Sequence, residues 1–397
     1  MKTFQDLGVI DPILRALDKK KYHTPTEIQA KAIPKILQRR DILGSAQTGT
    51  GKTAAFAIPM IQHIADEIKT SKYQDIKGLI ITPTRELAIQ IEENIKLYAE
   101  FTEVEHTVIF GGVKQMKQVQ RIDRGVDILV ATPGRLLDLI DQGIIDIGYV
   151  NYFVLDEADR MLDMGFIHDI NKILKLLPKK RQSLFFSATM PKDIVQLSQR
   201  ILDNPEKIEV KAVSSAADTL QQYVYFTNKA DKRTLLLHIL KKHSIDQVLI
   251  FARTKHGSDK IAKYLKKQGI NCMAIHGDKA QNARQKALGK FKDGELRALV
   301  ATDIAARGID IDKLKFVINY DVPNISETYV HRIGRSGRAG ETGTAISIAE
   351  PEENEYVRGI EKLINQKIPV IEDHPFPQTD KPMTEQEKKP FEKENES

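Results

Sequence analysis

The segment Ala46–Thr53 has the residue types and spacing needed to bind the phosphates of a nucleotide. It reads AQTGTGKT, and its glycines let backbone N–H groups turn toward a phosphate. Lys52 would reach the β- and γ-phosphates, and the Thr53 hydroxyl would hold Mg²⁺. A simple glycine-rich turn before a helix is the alternative, but the GKT ending favours nucleotide binding. The predicted contacts are Ala46, Gln47, Thr48, Gly49, Thr50, Gly51, Lys52 and Thr53.

Two adjacent carboxylates form a second candidate site. The apolar run Tyr152–Leu155 is followed by Asp156 and Glu157, at the strand end where α/β sheets bind ligands. Asp156 would hold Mg²⁺, in part through water, and Glu157 would position and deprotonate an attacking water. The alternative is an acidic helix N-terminus, where carboxylates suit the helix dipole. Together with the segment Ala46–Thr53, the pair predicts a site that hydrolyses a nucleotide.

The elements that must position these residues alternate between short apolar runs and helix-like stretches. The runs are rich in Val, Ile, Leu and Phe and are continuous, which is typical of parallel strands buried on both faces. Stretches such as Arg85–Ala99 and Lys255–Lys267 have helical patterns and lie between the runs. The sequence therefore predicts α/β domains with doubly wound parallel sheets. The predicted strands are Gly78–Thr82, Asp127–Ala131, Tyr152–Leu155, Ser183–Phe186, Gln247–Phe251, Ala298–Ala301, Phe316–Asn319 and Thr344–Ile348.

The chain is predicted to hold two such domains in tandem. The run of strands breaks at residues 211–219, KAVSSAADT, which are polar and small and read as a linker. The first domain is therefore expected over 1–210 and the second over 220–372. Residues 373–397 are rich in proline and charge, with seven acidic residues and four lysines. This composition predicts a short, disordered, acidic C-terminal tail.

Composition excludes several classes of protein. Of the 397 residues, 41% are hydrophobic and 29% charged, which suffices for packed cores. No run of about 18 apolar residues predicts a membrane span, and the acidic, weakly apolar N-terminus is unlike a signal peptide. Cys272 is the only cysteine, which excludes an internal disulfide framework and a cysteine-rich zinc site. We therefore expect a reducing, cytoplasmic compartment. The net charge of +6 permits a polyanionic partner.

Six segments, taken in order, resemble those of a DEAD-box RNA helicase. The match covers roughly residues 1–350, and the wording of the N-terminal part is similar to the RhlE-like bacterial branch. The resemblance implies two RecA-like domains that bind ATP and Mg²⁺. The segments are AQTGTGKT (Ala46–Thr53), PTREL (Pro83–Leu87), TPGR (Thr132–Arg135), DEAD (156–159), SAT (Ser187–Thr189) and HRIGRSGR (His331–Arg338).

The segment Tyr22–Gln29 and the upstream aromatic Phe4 resemble the family's adenine-reading Q motif. A glutamine amide offers a donor beside an acceptor, which matches the N6 amine and N7 of adenine, so Gln29 would select ATP over GTP. Tyr22 or Phe4 would stack on or flank the base. The alternative is a capped loop in which a threonine of this segment starts a helix at Glu27.

The second domain has no phosphate loop of its own, and the resemblance gives it a complementary role. Arg335 and Arg338 are expected to act as arginine fingers at the γ-phosphate; the alternative is a solvated basic turn. Asp310 resembles the family's ribose contact, or is a strand-end turn. Ser187 and Thr189 are expected to couple the nucleotide site to the closed state, or else to cap the next helix.

The family's RNA contacts carry over onto residues that are mostly Gly, Thr or Arg. These types suit phosphate oxygens and sugar hydroxyls, so the prediction is sequence-independent binding of the RNA backbone with salt-sensitive affinity. Each residue taken singly is also compatible with an ordinary turn. The predicted contacts are Pro83, Thr84, Arg85, Gly111, Gly112, Thr132 and Arg135 in the first domain, and Arg253, Gly277, Gln281, Arg284 and Thr302 in the second.

The resemblance implies an RNA-stimulated ATPase whose cleft opens and closes, locally separating short RNA duplexes. Two alternatives remain open: an ATP-gated RNA clamp or chaperone in which hydrolysis times release, and a DNA translocase of the wider helicase class. The expected ligand is single-stranded RNA or a short duplex, and ribosome-assembly or RNA-degradation complexes are candidate partners. The sequence does not indicate an oligomeric state.

Overall fold

The computed structural model describes residues 2–46, 50–69, 75–210, 220–306, 314–336 and 343–382. The chain divides into two compact units, Met1–Ala212 and Val213–Ser397. The linker predicted over 211–219 lies outside the described residues.

Within its described part, unit 1 is built on a seven-stranded parallel sheet. The strands are β1 (Ile42–Ser45), β2 (Gly78–Ile81), β3 (His106–Ile109), β4 (Ile128–Ala131), β5 (Tyr152–Leu155), β6 (Gln182–Ser187) and β7 (Glu206–Glu209). Their order in the sheet is β3-β4-β2-β5-β6-β1-β7. Because all the pairs are parallel, the carboxyl ends of these strands share one edge.

Helices cover both faces of this sheet. Successive residues of β2 alternate between two hydrophobic clusters, Ile80 with α2, α3 and α4 on one face, and Leu79 and Ile81 with α6 to α9 on the other. This three-layer arrangement is the doubly wound fold that the sequence predicts. The helices are α1 (Asp11–Lys19), α2 (Glu27–Leu37), α3 (Lys52–Ile68), α4 (Arg85–Tyr98), α5 (Met116–Ile122), α6 (Pro133–Asp141), α7 (Ala158–Asp163), α8 (Ile167–Leu176) and α9 (Lys192–Ile201), with a 3₁₀ helix η1 (Gln5–Leu7).

Unit 2 repeats the design with six parallel strands among its described residues. The strands are β8 (Leu220–Phe226), β9 (Val248–Phe251), β10 (Cys272–Ile275), β11 (Ala298–Ala301), β12 (Phe316–Asn319) and β13 (Gly343–Ala349). Their order is β10-β11-β9-β12-β13-β8. The helices are α10 (Lys232–Lys242), α11 (Lys255–Lys267), α12 (Gln281–Lys292), α13 (Asp303–Ala306), α14 (Ser326–Ile333) and α15 (Asn354–Ile364), with a 3₁₀ helix η2 (Pro351–Glu353).

The prediction that a disordered tail begins at residue 373 is wrong for residues 373–382. Phe376 packs against the core of unit 2, with its ring edge-on to His238 at 6.3 Å. The Asn228 side chain accepts from the backbone N–H of Thr379 and donates to its hydroxyl, both at 2.9 Å. One partly buried aromatic and one bidentate amide therefore anchor a stretch whose average composition is that of a disordered segment. Residues 383–397 lie outside the described part.

Candidate functional site

The predicted phosphate loop connects the carboxyl end of β1 to the first turn of α3. Gly51 has a left-handed backbone (φ 92°) and is the N-cap of α3. Lys52 follows it and is buried, and its Nζ donates to the Ala46 carbonyl across the loop at 2.8 Å. The lysine thus joins the two ends of the predicted loop. Gln47, Thr48 and Gly49 lie outside the described residues.

Asp156 lies immediately after β5 and is buried. Its pKa is raised to about 6, chiefly by burial and also by the neighbouring Glu157, while Lys52 opposes the rise. Its Oδ1 accepts from the Glu157 backbone N–H at 3.0 Å. In the described part of the chain, Oδ2 accepts no hydrogen bond, so one oxygen of this carboxylate remains available to a ligand.

Glu157 occupies a strained position at the N-cap of α7. Its backbone is left-handed (φ 57°, ψ 48°), a conformation that a non-glycine residue adopts at a cost of order 1–3 kcal/mol. Its carboxylate is buried and accepts from Arg160 Nη1 at 2.5 Å. The strand-to-helix turn thereby aims a carboxylate along the edge of the sheet, and the buried arginine holds it there. Arg160 was not among the residues predicted to form the site.

Ser187 and Thr189 are joined to the acidic segment by hydrogen bonds. Asp159 Oδ2 accepts from both the backbone N–H and the hydroxyl of Thr189, at 2.9 Å each. The Asp159 N–H donates to Ser187 Oγ at 3.2 Å. Burial raises the pKa of Asp159, but the Thr189 bonds, together with the charges of Lys52 and Arg160, hold that pKa below its ordinary value. The loops after β5 and β6 are therefore joined by hydrogen bonds.

Gln29 lies in the first turn of α2 and is fully buried. Its Nε2 donates to the Gly51 carbonyl at 3.0 Å and its Oε1 accepts from the Thr26 N–H at 2.9 Å, while the Tyr22 hydroxyl lies within 2.9 Å of the amide. A Cβ at position 51 would lie 2.2 Å from Nε2, so only glycine allows this approach. The amide is thus bonded to the phosphate loop in addition to capping a helix. The alternative prediction, a threonine-capped helix that begins at Glu27, is therefore observed, and the adenine contact of Gln29 stays a prediction.

The aromatic residue predicted to flank the base, Phe4, is instead a core residue. It is 2% exposed, and its ring packs against that of Tyr22 at 5.2 Å. Phe4 therefore packs against Tyr22 from the core, and Tyr22 is the partly exposed aromatic of the pair.

The predicted RNA contacts of unit 1 lie in the loops after β2, β4 and β3, which are neighbours in the sheet. The Arg85 guanidinium lies on the backbone of Gly112, where a Cβ would come within 2.1 Å of Nη1. Arg135 donates to the Val113 carbonyl at 3.2 Å. Two arginines, in the first turns of α4 and α6, therefore contact the glycine turn after β3. Pro83 and Thr84 precede α4, Gly111 precedes Gly112, and Thr132 is the N-cap of α6.

The predicted RNA contacts of unit 2 follow β9, β10 and β11, which are again neighbours. Arg253 is half-exposed after β9. Gly277 is exposed after β10, and Gln281 and Arg284 lie in the first turn of α12. Thr302 follows β11 and is buried.

Arg332 forms a buried hub that the sequence reasoning missed. Its guanidinium pairs with both oxygens of Asp303, at 2.6 and 2.8 Å, and donates to Asn319 Oδ1 and the Asp321 carbonyl. It joins α13, α14 and the end of β12. The signal available was the first arginine of HRIGRSGR. Arg335 is 5% exposed in this structure, and Arg338 and Asp310 lie outside the described residues.

The residues predicted to hold Mg²⁺ supply suitable ligand atoms. Mg²⁺ prefers oxygen ligands and retains several waters. Both the Thr53 hydroxyl and Asp156 Oδ2 are oxygens that form no hydrogen bond with the described residues, on loops after β1 and β5. No group of three or more His, Cys, Asp or Glu residues within the described ranges forms a dense metal cage. The site thus fits an ion held by few protein atoms together with phosphates and water.

Comparison with known proteins identifies the family. Residues 26–197 match the DEAD/DEAH box helicase family, and residues 231–340 match the helicase conserved C-terminal domain. The chain is 41% identical to the DEAD-box ATP-dependent RNA helicase CshA of Geobacillus kaustophilus (strain HTA426), over 93% of this chain and 78% of the relative. The chain belongs to the DEAD-box RNA helicases. The CshA helicase of Bacillus subtilis (strain 168) is also 41% identical, over 92% of this chain and 73% of the relative.

Solved structures agree with this assignment. S. cerevisiae Dbp5 bound to RNA and ADP-BeF3 is 30% identical with a TM-score of 0.81, covering 94% of this chain and 96% of that one. A DEAD box protein from Methanococcus jannaschii is 39% identical with a TM-score of 0.53, covering 93% and 99%.

The predicted DEAD-box family, RecA-like fold and activity are therefore confirmed. The chain is an ATP-binding, RNA-binding, RNA-dependent ATPase and ATP-dependent RNA helicase. The finer prediction of an RhlE-like branch stays a prediction, since the relatives named above are of the CshA type. Over the ranges that the structure describes, none of the helicase's helices is long and apolar enough to cross a membrane.

Proposed function

We propose that the helicase binds ATP where β5, β6 and β1 end, and binds RNA along the adjoining edge where β3, β4 and β2 end. The strand order in unit 1 supports this division, because the candidate residues of each class follow three neighbouring strands. Loops after parallel strands share one edge of a sheet. Changes at the nucleotide would therefore reach the RNA loops through adjacent strands.

In the nucleotide site, Lys52 would exchange its bond to the Ala46 carbonyl for the β- and γ-phosphates of ATP. Glu157 would orient the attacking water and accept its proton. The Thr53 hydroxyl and Asp156, in part through water, would hold Mg²⁺, which neutralises developing phosphate charge when bound. Arg335 and Arg338 would act as arginine fingers when the domains close on ATP.

Selection of ATP would depend on Gln29, whose amide would exchange its bonds within the protein for N6 and N7 of adenine. Its existing bond to the Gly51 carbonyl supports this role, because it ties the amide to the phosphate loop. Tyr22 would flank the base, and Asp310 would contact the ribose.

RNA would be held by its backbone, without regard to sequence. The arginine pair Arg85 and Arg135 around the Gly112 turn supports this, because guanidinium groups beside exposed backbone suit phosphate oxygens. Ser187 and Thr189 would transmit the nucleotide state to this edge through Asp159. Each cycle would separate a few base pairs of a short duplex rather than move along it.

We further propose that the helicase acts in the cytoplasm within ribosome-assembly or RNA-degradation complexes. Backbone binding gives this chain no RNA target of its own, so a partner would supply the target. The buried thiol of Cys272, whose pKa is raised by burial, is consistent with a reducing compartment.

The first experiment measures the ATPase rate without nucleic acid, with single-stranded RNA and with single-stranded DNA of the same sequence. Glu157→Gln is the matched control, because it keeps the shape of the side chain and removes the base. We expect stimulation by RNA alone and its loss in the control. Equal stimulation by DNA would overturn the RNA assignment.

A strand-separation assay on a short RNA duplex then distinguishes a helicase from a clamp. Helicase action predicts ATP-dependent release of the shorter strand, whereas a clamp would retain RNA with no loss of duplex.

The proposed RNA contacts of unit 1 are tested by Arg85→Gln, with Arg124→Gln as a control. Arg124 is exposed and lies between α5 and β4, at the amino ends of the strands and away from the proposed RNA contacts. Each of the two changes removes one positive charge. We expect only Arg85→Gln to raise the Kd for single-stranded RNA, by about 5- to 30-fold. Equal effects would mean that net charge alone decides binding.

A further inference from the structure

A buried carboxylate lies beside the proposed RNA contact Arg253. Glu353 is the last residue of η2, and its side chain is 1% exposed. Its Oε1 accepts from Arg253 Nη2 and from the Val322 N–H at 3.1 Å. Its Oε2 accepts from Lys232 Nζ at 2.8 Å and from the Glu350 N–H at 3.2 Å. Both oxygens accept hydrogen bonds and the side chain is buried, so the carboxylate is held in one position.

The Arg253 side chain donates to this anchor and is also partly exposed to solvent. Its side chain is 48% exposed. One nitrogen, Nη2, donates both to Glu353 and to the Val322 carbonyl at 3.1 Å, and the Arg253 N–H donates to Asp321 Oδ2 at 2.7 Å. Nε and Nη1 form no hydrogen bond with the residues that the structure describes. One edge of the guanidinium is therefore fixed, and the other remains able to bind a phosphate oxygen.

Lys232 is a second cation that holds the anchor in place. It begins α10, is 2% exposed, and lies within 3.2 Å of Asp321 Oδ1 as well as against Glu353. A lysine so deeply buried requires carboxylate partners, and a buried carboxylate requires cations. Glu353 is thereby tied to α10, to the end of β12 and to the loop after β9 at once.

We propose that Glu353 is a positioning residue for RNA binding, which holds Arg253 with its free edge presented to a phosphate of the RNA backbone. The proposal rests on the proposed RNA contact of Arg253. Glu353 lies outside residues 231–340, which match the C-terminal helicase family, so the family match does not assign it. An untethered arginine loses much rotamer freedom on binding, whereas Arg253 has already lost it in the free protein.

The proposal predicts the direction in which the Kd for RNA changes when Glu353 loses its charge. Removing an acidic residue from an RNA-binding protein should strengthen binding if net charge decides the affinity. Loss of the anchor should instead weaken it. We therefore expect Glu353→Gln to raise the Kd for single-stranded RNA by about two- to tenfold. Glu355→Gln is the matched control, because Glu355 is exposed two residues away and loses the same charge.

The test is a double-mutant cycle on the full chain. The Kd for a fluorescein-labelled oligouridine is measured by anisotropy, with a non-hydrolysable ATP analogue, for the native protein, Arg253→Gln, Glu353→Gln and the double variant. If Glu353 acts through Arg253, it contributes nothing once Arg253 is gone. A tighter or unchanged Kd in Glu353→Gln, or the same loss in both backgrounds, overturns the proposal. An unchanged Kd in Arg253→Gln would instead refute the RNA contact of Arg253 itself.

Arg253→Lys provides an independent test that does not disturb a buried residue. An ammonium paired with Glu353 has no second planar edge to offer a phosphate. We expect Arg253→Lys to lose as much affinity as Arg253→Gln. Full retention of affinity by the lysine would mean that a point charge suffices, and would overturn the role of Glu353.

Discussion

Asp156→Asn is expected to stabilise the nucleotide-free helicase while abolishing its ATPase. Asp156 is buried, and its pKa is raised from 3.8 to about 6 in the folded protein. Above pH 6, ionisation of this carboxylate therefore opposes folding by about 3 kcal/mol. Asparagine keeps the oxygen that accepts from the Glu157 N–H and carries no charge. We expect a gain in the free energy of unfolding of about 2–3 kcal/mol near neutral pH.

The stability that Asp156→Asn gains over the native protein should depend on pH. As pH falls through 6, the folded state takes up a proton at Asp156 before the unfolded state does, so the native protein regains this stability. The advantage of Asp156→Asn should therefore shrink to about 1 kcal/mol near pH 4.5. Urea unfolding in EDTA without nucleotide measures it, followed by circular dichroism because the chain has no tryptophan.

Asp141→Asn serves as the control, since Asp141 is exposed and forms no hydrogen bond with the described residues. It should change little at either pH. A variant of Asp156 that is no more stable than the native protein near pH 7.5 would refute the reasoning that burial dominates this site.

Three further outcomes are expected. Gln29→Glu replaces a donor with an acceptor, so the Kd for ATP in a competition titration should rise about tenfold, and an unchanged Kd would exclude the adenine contact. Thr189→Val should lower the RNA-stimulated ATPase rate about three- to tenfold by removing one bond to Asp159, whereas Thr189→Ser should retain it; equal loss in both would point to packing instead. Removing residues 383–397 should leave the melting temperature unchanged, whereas removing 373–397 also takes away Phe376 and should lower it by roughly 3–6 °C. A melting temperature unaffected by the longer deletion would mean that the Phe376 contact adds no stability.

Among the strands of the described residues, the sequence predicts every interior strand except β1 and misses the four edge strands. Strands such as β2, β4 and β5 are buried throughout, so continuous apolar runs mark them. The edges β3, β7, β10 and β8 have one partner each and partly exposed residues, as in Glu206–Glu209. The interior strand β1 is missed because only two of its residues, Ile42 and Leu43, are apolar, and Gly44 and Ser45 follow them.

The candidate site follows the same division between local and distant information. Lys52, Asp156 and Glu157 are found where the strand–loop–helix pattern puts them, because each is fixed by its own neighbours in sequence. The ion pair of Arg332 was missed because its partner Asp303 lies 29 residues away and is brought to it by packing. The pair of Arg160 with Glu157 is local, three residues apart, and the sequence reasoning overlooked it. Composition likewise averages over a segment, so it could not reveal the anchor formed by a single residue such as Phe376.

The carboxylates around Lys232 have a consequence for the origin of the second unit. β8 holds the same place in its sheet as β1, and the helix that follows each strand begins with a lysine, Lys232 in one and Lys52 in the other. The lysine of unit 1 faces a phosphate loop, whereas Lys232 is neutralised within the chain by Asp321 and Glu353. We interpret unit 2 as a duplicated nucleotide-binding unit in which a protein carboxylate has replaced the phosphate. In such a unit the charge of the buried lysine is balanced by carboxylates of the chain itself, so its neutralisation requires no bound phosphate.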